Sequence, residues 1–199
     1  MNGRAAPAEA PLRVLFVCFG NICRSPMAEG LARELAARLH PGIERLLEFS
    51  SAGVGAQDGN PPTEEAVLAM AGRGIDISHH RARRATPAVV EACDLVLTME
   101  ERQRLRLLES EAGTPAHVHL KLSEAAGELL KEGVAQATLR ERLERLELVA
   151  AGMDREGAWS MPAWEYDVPD PIGLTVDGYV TVAARLESSL TFLLRALVS

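Results

Sequence analysis

The chain has 199 residues, 47% hydrophobic and 25% charged, and carries a net charge of −7. That length suits one domain, and no apolar run is long enough to cross a bilayer. The acidic balance offers no basic field for a polyphosphate backbone, which argues against a nucleic-acid binder.

Residues 1–10 lack the apolar centre of a signal peptide and read as a flexible N-terminal tail, leaving 11–199 as a single domain. Three cysteines, Cys18, Cys23 and Cys93, are too few for a disulfide scaffold and suit a reducing, cytoplasmic setting. Residues 12–18 (LRVLFVC) predict a buried strand, ended by the turn signal Gly20-Asn21. Ser25-Pro26 reads as N-cap and first helical position, with Glu29 in the first turn. Met27, Leu31, Leu35 and Leu39 continue at helical spacing until Pro41-Gly42. A weaker strand is expected over 46–51, closed by Ala52-Gly53, and then a loop. Thr63 caps a helix through Met70, stopped by Gly72 and Gly74. Strands are expected at Asp94 to Met99 and at 116–120, with a charged helix over 100–110 between them. The last helix covers 176–197, its apolar side formed by Val180, Ala183, Ala184, Leu186, Leu190 and Leu194. Strands alternating with helices imply a parallel sheet, and ligands bind beyond the carboxyl ends of such strands.

Residues 123–160 break this pattern. Ser123 and Thr138 can cap two short helices, and Leu139, Leu143 and Leu146 form a narrow apolar stripe. The segment reads as a helical hairpin decorating the surface, or as a lid or partner-binding element.

Cys18-Phe19-Gly20-Asn21-Ile22-Cys23-Arg24-Ser25 carries the chemistry. A cysteine ends a strand, an arginine follows six residues later, and a helix begins there. A helix N-terminus presents free N–H groups and partial positive charge to an anion. The loop gathers further N–H groups into an anion nest, with Gly20 allowing the bend. Arg24 grips two phosphate oxygens with its planar fork. The same field favours the thiolate form of Cys18, and the Ser25 hydroxyl holds it. The product is a nucleophile aimed at a bound phosphorus.

VLFVCFGNICRSPMAEGLAREL resembles the opening of the low-molecular-weight protein tyrosine phosphatases. The resemblance continues through SSAGVG, GIDISHHRARR, DLVLTM and DVPDP. It implies a three-layer α/β fold: a twisted four-stranded parallel sheet flanked by helices, with a phosphate loop after strand 1. It also implies phosphotyrosine hydrolysis through a cysteinyl-phosphate, without metal or cofactor. By position, Cys18 resembles the nucleophile, Arg24 the phosphate clamp, Asn21 the residue shaping the loop and Ser25 the thiolate stabiliser. Asp170 resembles the general acid, with Asp167 as its rival; the family pattern is Asp followed by Pro. Phe19, Gly20, Asn21, Ile22, Cys23 and Ser25 are the expected substrate-binding loop. In the family a cysteine at the place of Cys23 can form a reversible disulfide with the nucleophile; a small buried hydrophobe is the alternative. Expected partners are a phosphorylated protein and phosphate or another oxyanion, with no nucleic acid and no membrane span, in a monomer or weak dimer.

Departures from the family pattern bear on specificity. Ile172 and Gly173 stand where many eukaryotic members carry aromatics, and Ala56 and Gln57 where another wall residue is common. Phe19, Trp159, Trp164 and Tyr166 are the candidate replacements. A related branch dephosphorylates arginine and typically has Thr where this chain has Ile22, which favours the tyrosine phosphatase side. The thioredoxin-coupled arsenate reductases need further cysteines after the third strand, and MEERQRLRLLE has none. A silent phosphate-binding module is the reading from another class, against which Cys18, Arg24 and Asp170 all stand. His117 and His119 share one side of a strand, with no further partners for a metal in view. His79, His80, Arg81, Arg83 and Arg84 read as a solvated basic loop with one histidine packed behind the site.

Overall fold

A computed structural model of the chain describes residues 10–110, 119–121, 139–144 and 167–198. The first strand, β1 (Leu12–Cys18), buries every residue except Arg13. Its side chains alternate between two cores: Val14 and Phe16 point into one, Leu15 and Val17 into the other. A strand buried on both faces belongs inside a parallel sheet covered on both sides. β1 is indeed central. It pairs in parallel with β2 (Leu47–Gly53) and β3 (Leu95–Thr98), and β3 pairs in parallel with β4 (His119–Lys121), in the order β2-β1-β3-β4. Cys18 lies opposite Gly53, and Val17 opposite Thr98, so three strands end at one edge.

Helices cover both faces. On one lie α1 (Arg24–Leu39), α2 (Glu64–Ala71) and, packed on both of them, the final helix α5 (Val176–Val198). On the other, Val90 of α3 (Pro87–Glu91) and Leu107 of α4 (Glu101–Glu109) join Leu15, Val17, Val96 and Cys93. The arrangement is the expected three-layer α/β fold.

Thr63 caps α2 as expected, its hydroxyl accepting from the Ala66 N–H at 3.3 Å. α1 ends at Leu39, just before Gly42, whose φ of 95° suits only glycine well. Other expectations are corrected. β2 runs on through Ala52-Gly53, because the end of β1 is there to pair with. α3 was not foreseen; Thr86 caps it and Pro87 opens it. In α5, Val180 and Ala184 are exposed, while Tyr179, Val182, Leu193 and Leu197 are buried with Ala183, Leu186, Leu190 and Leu194. Tyr179, Val182, Ala183 and Leu186 make the i, i+3, i+4, i+7 stripe, and Val180 and Ala184 each lie one residue past it.

Residues 139–144 are helical, with Leu143 buried and Leu139 packed against the first core. Ser123, Thr138, Leu146, Trp159, Trp164, Tyr166 and His117 lie outside the described residues, as do 116–118 of the fourth expected strand.

Candidate active site

Cys18 closes β1, and α1 opens at Arg24. The turn between them is held by Asn21. Its φ of 55° lies in the left-handed region that asparagine tolerates better than most residues. The expected bend at Gly20 is therefore at Asn21; a side chain on Gly20 would crowd Ile22, with a Cβ 3.3 Å from its Cγ1. Three side-chain hydrogen bonds fix Asn21: Nδ2 donates to Ser25 Oγ at 2.8 Å and Ser51 Oγ at 3.0 Å, and Oδ1 accepts from the Arg83 N–H at 2.9 Å. His80 Nε2 lies 2.9 Å from the Asn21 carbonyl oxygen, so one histidine is packed behind the loop, while His79 is exposed.

Cys18 Sγ accepts from the Asn21 N–H at 3.2 Å and lies 3.0 Å from Ser25 Oγ. Ser25 is not the N-cap. That position belongs to Cys23, and the Ser25 hydroxyl turns inward to Cys18, Asn21 and the Ala52 carbonyl. With the helix starting earlier, Glu29 falls in its second turn and accepts from Ser51 Oγ at 2.6 Å. A chain of hydrogen bonds thus runs from Glu29 through Ser51, Asn21 and Ser25 to the thiol, and fixes each in place.

Arg24 is 2% exposed. Its guanidinium donates to the Val168 carbonyl at 3.0 Å, to Asp170 Oδ2 at 2.5 Å and to Glu100 Oε1. Glu100 was missed by sequence reasoning. It follows β3, and the pairing of β3 with β1, extended by the bond from the Met99 N–H to the Val17 carbonyl, sets it beside Arg24. An acid just beyond a buried strand, at the edge where the phosphate loop lies, is the signal that would have found it. Burial works against ionisation of Glu100, but hydrogen bonds and charge from Arg102 and Arg24 hold its carboxyl below the ordinary value.

The two rival aspartates part company. Asp170 reaches Arg24, and its other oxygen accepts from the Ile172 N–H at 3.2 Å. Asp167 Oδ1 accepts from the Glu101 N–H at 3.0 Å, at the start of α4. Val168 between them is tied to Met99 through its N–H.

Cys23 is buried, its Sγ 3.5 Å from Thr63 Oγ1 and 3.7 Å from the Tyr179 hydroxyl. Burial pushes the Cys23 thiol up, and Tyr179 to about 12. Cys18, Cys23 and Cys93 are all free thiols. Phe19 is 47% exposed and faces a cavity of ≈ 450 Å³, lined also by Val54, Arg102, Gln103, Arg106 and Asp170. Ile22 packs on the first core. Among the described residues, no cluster of three His, Cys, Asp or Glu side chains is placed to hold a metal.

Residues 13–127 match the family model for low molecular weight phosphotyrosine protein phosphatase. The chain is 46% identical to EpsP of Ralstonia nicotianae over 91 residues, which are 46% of this chain and 57% of that protein's length. It is 38% identical over 111 residues, 55% of this chain and 69% of the relative, to YfkJ of Bacillus subtilis, a low molecular weight protein-tyrosine-phosphatase. The solved YwlE arginine phosphatase superposes with a TM-score of 0.66 at 25% identity, covering 92% of this chain and 94% of that one. With its cysteine at the end of β1 and its arginine at the head of α1, the chain belongs to the low molecular weight phosphotyrosine protein phosphatase family.

Proposed function

We propose that this chain hydrolyses phosphotyrosine monoesters through a cysteinyl-phosphate intermediate. The reading rests on one juxtaposition: the Cys18 thiol, the Asn21 N–H, the Ser25 hydroxyl, the Arg24 fork and the Asp170 carboxyl meet where β1 passes into α1. Phosphate enters the loop, and its oxygens draw the Arg24 guanidinium away from Asp170. The Cys18 thiolate attacks phosphorus, and the bond to the phenol oxygen breaks. Asp170 gives its proton to the departing oxygen. It then takes a proton from water, the hydroxide attacks phosphorus, and Cys18 leaves as the thiolate. Ser25 and the Asn21 N–H hold the sulfur in both steps. Phe19, exposed beside Cys18, walls the ring. The substrate is a phosphorylated protein, and the reducing cytoplasm is the compartment that keeps Cys18 a thiol.

Turnover of an aryl phosphate by the wild type, Cys18→Ser and Asp170→Ala tests this. Cys18→Ser removes turnover, and Asp170→Ala lowers it by about a hundredfold or more. Binding of phosphate without turnover by the wild type would overturn the enzymatic reading. The likeness to the YwlE arginine phosphatase makes phosphoarginine the competing substrate. The apolar Ile22 favours the aryl ester, so kcat/KM on a phosphotyrosine peptide should exceed that on its phosphoarginine counterpart.

A further inference from the structure

The cavity beside Phe19 has two arginines on its lining. Its lining includes Arg102 and Arg106, one turn apart on α4 and both exposed, in a chain whose net charge is −7. The acid on that lining, Asp170, is already paired with Arg24. Arg102 touches Glu100 through Nε but is 71% exposed. Arg106 has no carboxylate partner among the described residues; its guanidinium sits 6.0 Å from the centre of the Phe19 ring. That cation–π contact places the charge before any ligand arrives. Gln103, 1% exposed, lies beneath the two arginines on the same lining. Its Oε1 accepts from the Met99 N–H at 3.1 Å, while its Nε2 is buried without a hydrogen-bond partner among the described residues. Two guanidinium groups on one hollow match a carboxylate.

Resting on the phosphatase reading above, we propose that this cavity binds an acidic side chain of the substrate, an Asp or Glu adjacent in sequence to the phosphotyrosine. Phe19 links the two subsites: it follows Cys18 directly and carries Arg106 on its ring. The preferred substrate is therefore a phosphotyrosine segment with acidic flanks, held by phosphate in the loop and by carboxylate at α4.

The test measures binding, so it does not depend on turnover. Fluorescent phosphotyrosine peptides flanked by Glu or by Gln are titrated against the Cys18→Ser protein, alone and with Arg106→Gln or Arg106→Lys. The Glu-flanked peptide should bind about five- to tenfold tighter at low ionic strength, and the preference should shrink at high salt. Arg106→Gln should remove most of the preference, and Arg106→Lys should keep part of it. Equal affinities for the two peptides, or a preference unchanged in Arg106→Gln, would overturn the proposal. Failure of the phosphatase reading shows separately, as absent aryl-phosphate turnover by the wild type.

Discussion

Arg24 is a buried cation, and a cation is tolerated at 2% exposure only with its hydrogen bonds filled. Glu100, Asp170 and the Val168 carbonyl fill them. In the proposed mechanism Glu100 is the partner that stays when phosphate displaces Asp170, and so it positions the fork. Glu100→Gln is expected to cost about 3 kcal/mol of stability, since it strands part of a buried charge. It should also raise KM for an aryl phosphate more than it lowers kcat; a loss confined to stability would make Glu100 merely structural. The folded carboxyl is held below its ordinary value of 4.5, so the stability it adds is present above that pH and fades as pH falls through the lowered value. Urea midpoints of wild type and Glu100→Gln should differ by a constant amount near neutrality and converge in acid. At Asn21, Asn21→Gly keeps the left-handed backbone accessible but removes three hydrogen bonds, whereas Asn21→Ala loses both. Turnover should fall in both variants, with Asn21→Ala the less stable by about 1 kcal/mol. Equal melting would contradict the assigned backbone strain.

At the scale of elements, the site depends on how closely β2 approaches the phosphate loop. The Val54 and Gly55 N–H groups donate to the Cys18 and Phe19 carbonyls at 3.0 and 2.9 Å. A Cβ on Gly53 would lie 2.5 Å from the Phe19 carbonyl oxygen and 2.9 Å from the Asn21 nitrogen. Both are backbone atoms with no side chain to swing aside. Gly53→Ala should therefore cost about 3 kcal/mol and most of the turnover together, read by thermal melting and aryl-phosphate kinetics. The opening strand, loop and first helix were legible from sequence, because a run of buried residues, a turn signal and a 3.6-residue period are local patterns. Ser25 misled because serine before proline is a good cap signal, and only the pairing of β1 with β2 shows that its hydroxyl faces Ala52 and Cys18. Glu100 was illegible for the same reason. It sits 76 positions from Arg24, and only the β1–β3 pairing joins them. The apolar face of α5 was read rightly at Ala183, Leu186, Leu190 and Leu194 but wrongly at its start, because Val180 is apolar yet exposed, while Tyr179 carries a hydroxyl yet is buried.

Across the whole molecule, an acidic chain focuses positive charge at one sheet edge. The head of α1, Arg24 and the α4 arginines surround the ends of β1 and β3, where a parallel sheet presents its ligand site. The central claim is that this edge carries out a two-step transfer through Cys18. It is tested most directly by trapping the intermediate. Asp170→Ala mixed with p-nitrophenyl phosphate should form the phosphoenzyme readily, since that leaving group needs little proton assistance, and should hydrolyse it slowly for want of a base. Mass spectrometry of acid-quenched, digested protein should then find a phosphoryl group on the peptide containing Cys18, and none in Cys18→Ser. Turnover with no adduct, or an adduct on another residue, would contradict the mechanism.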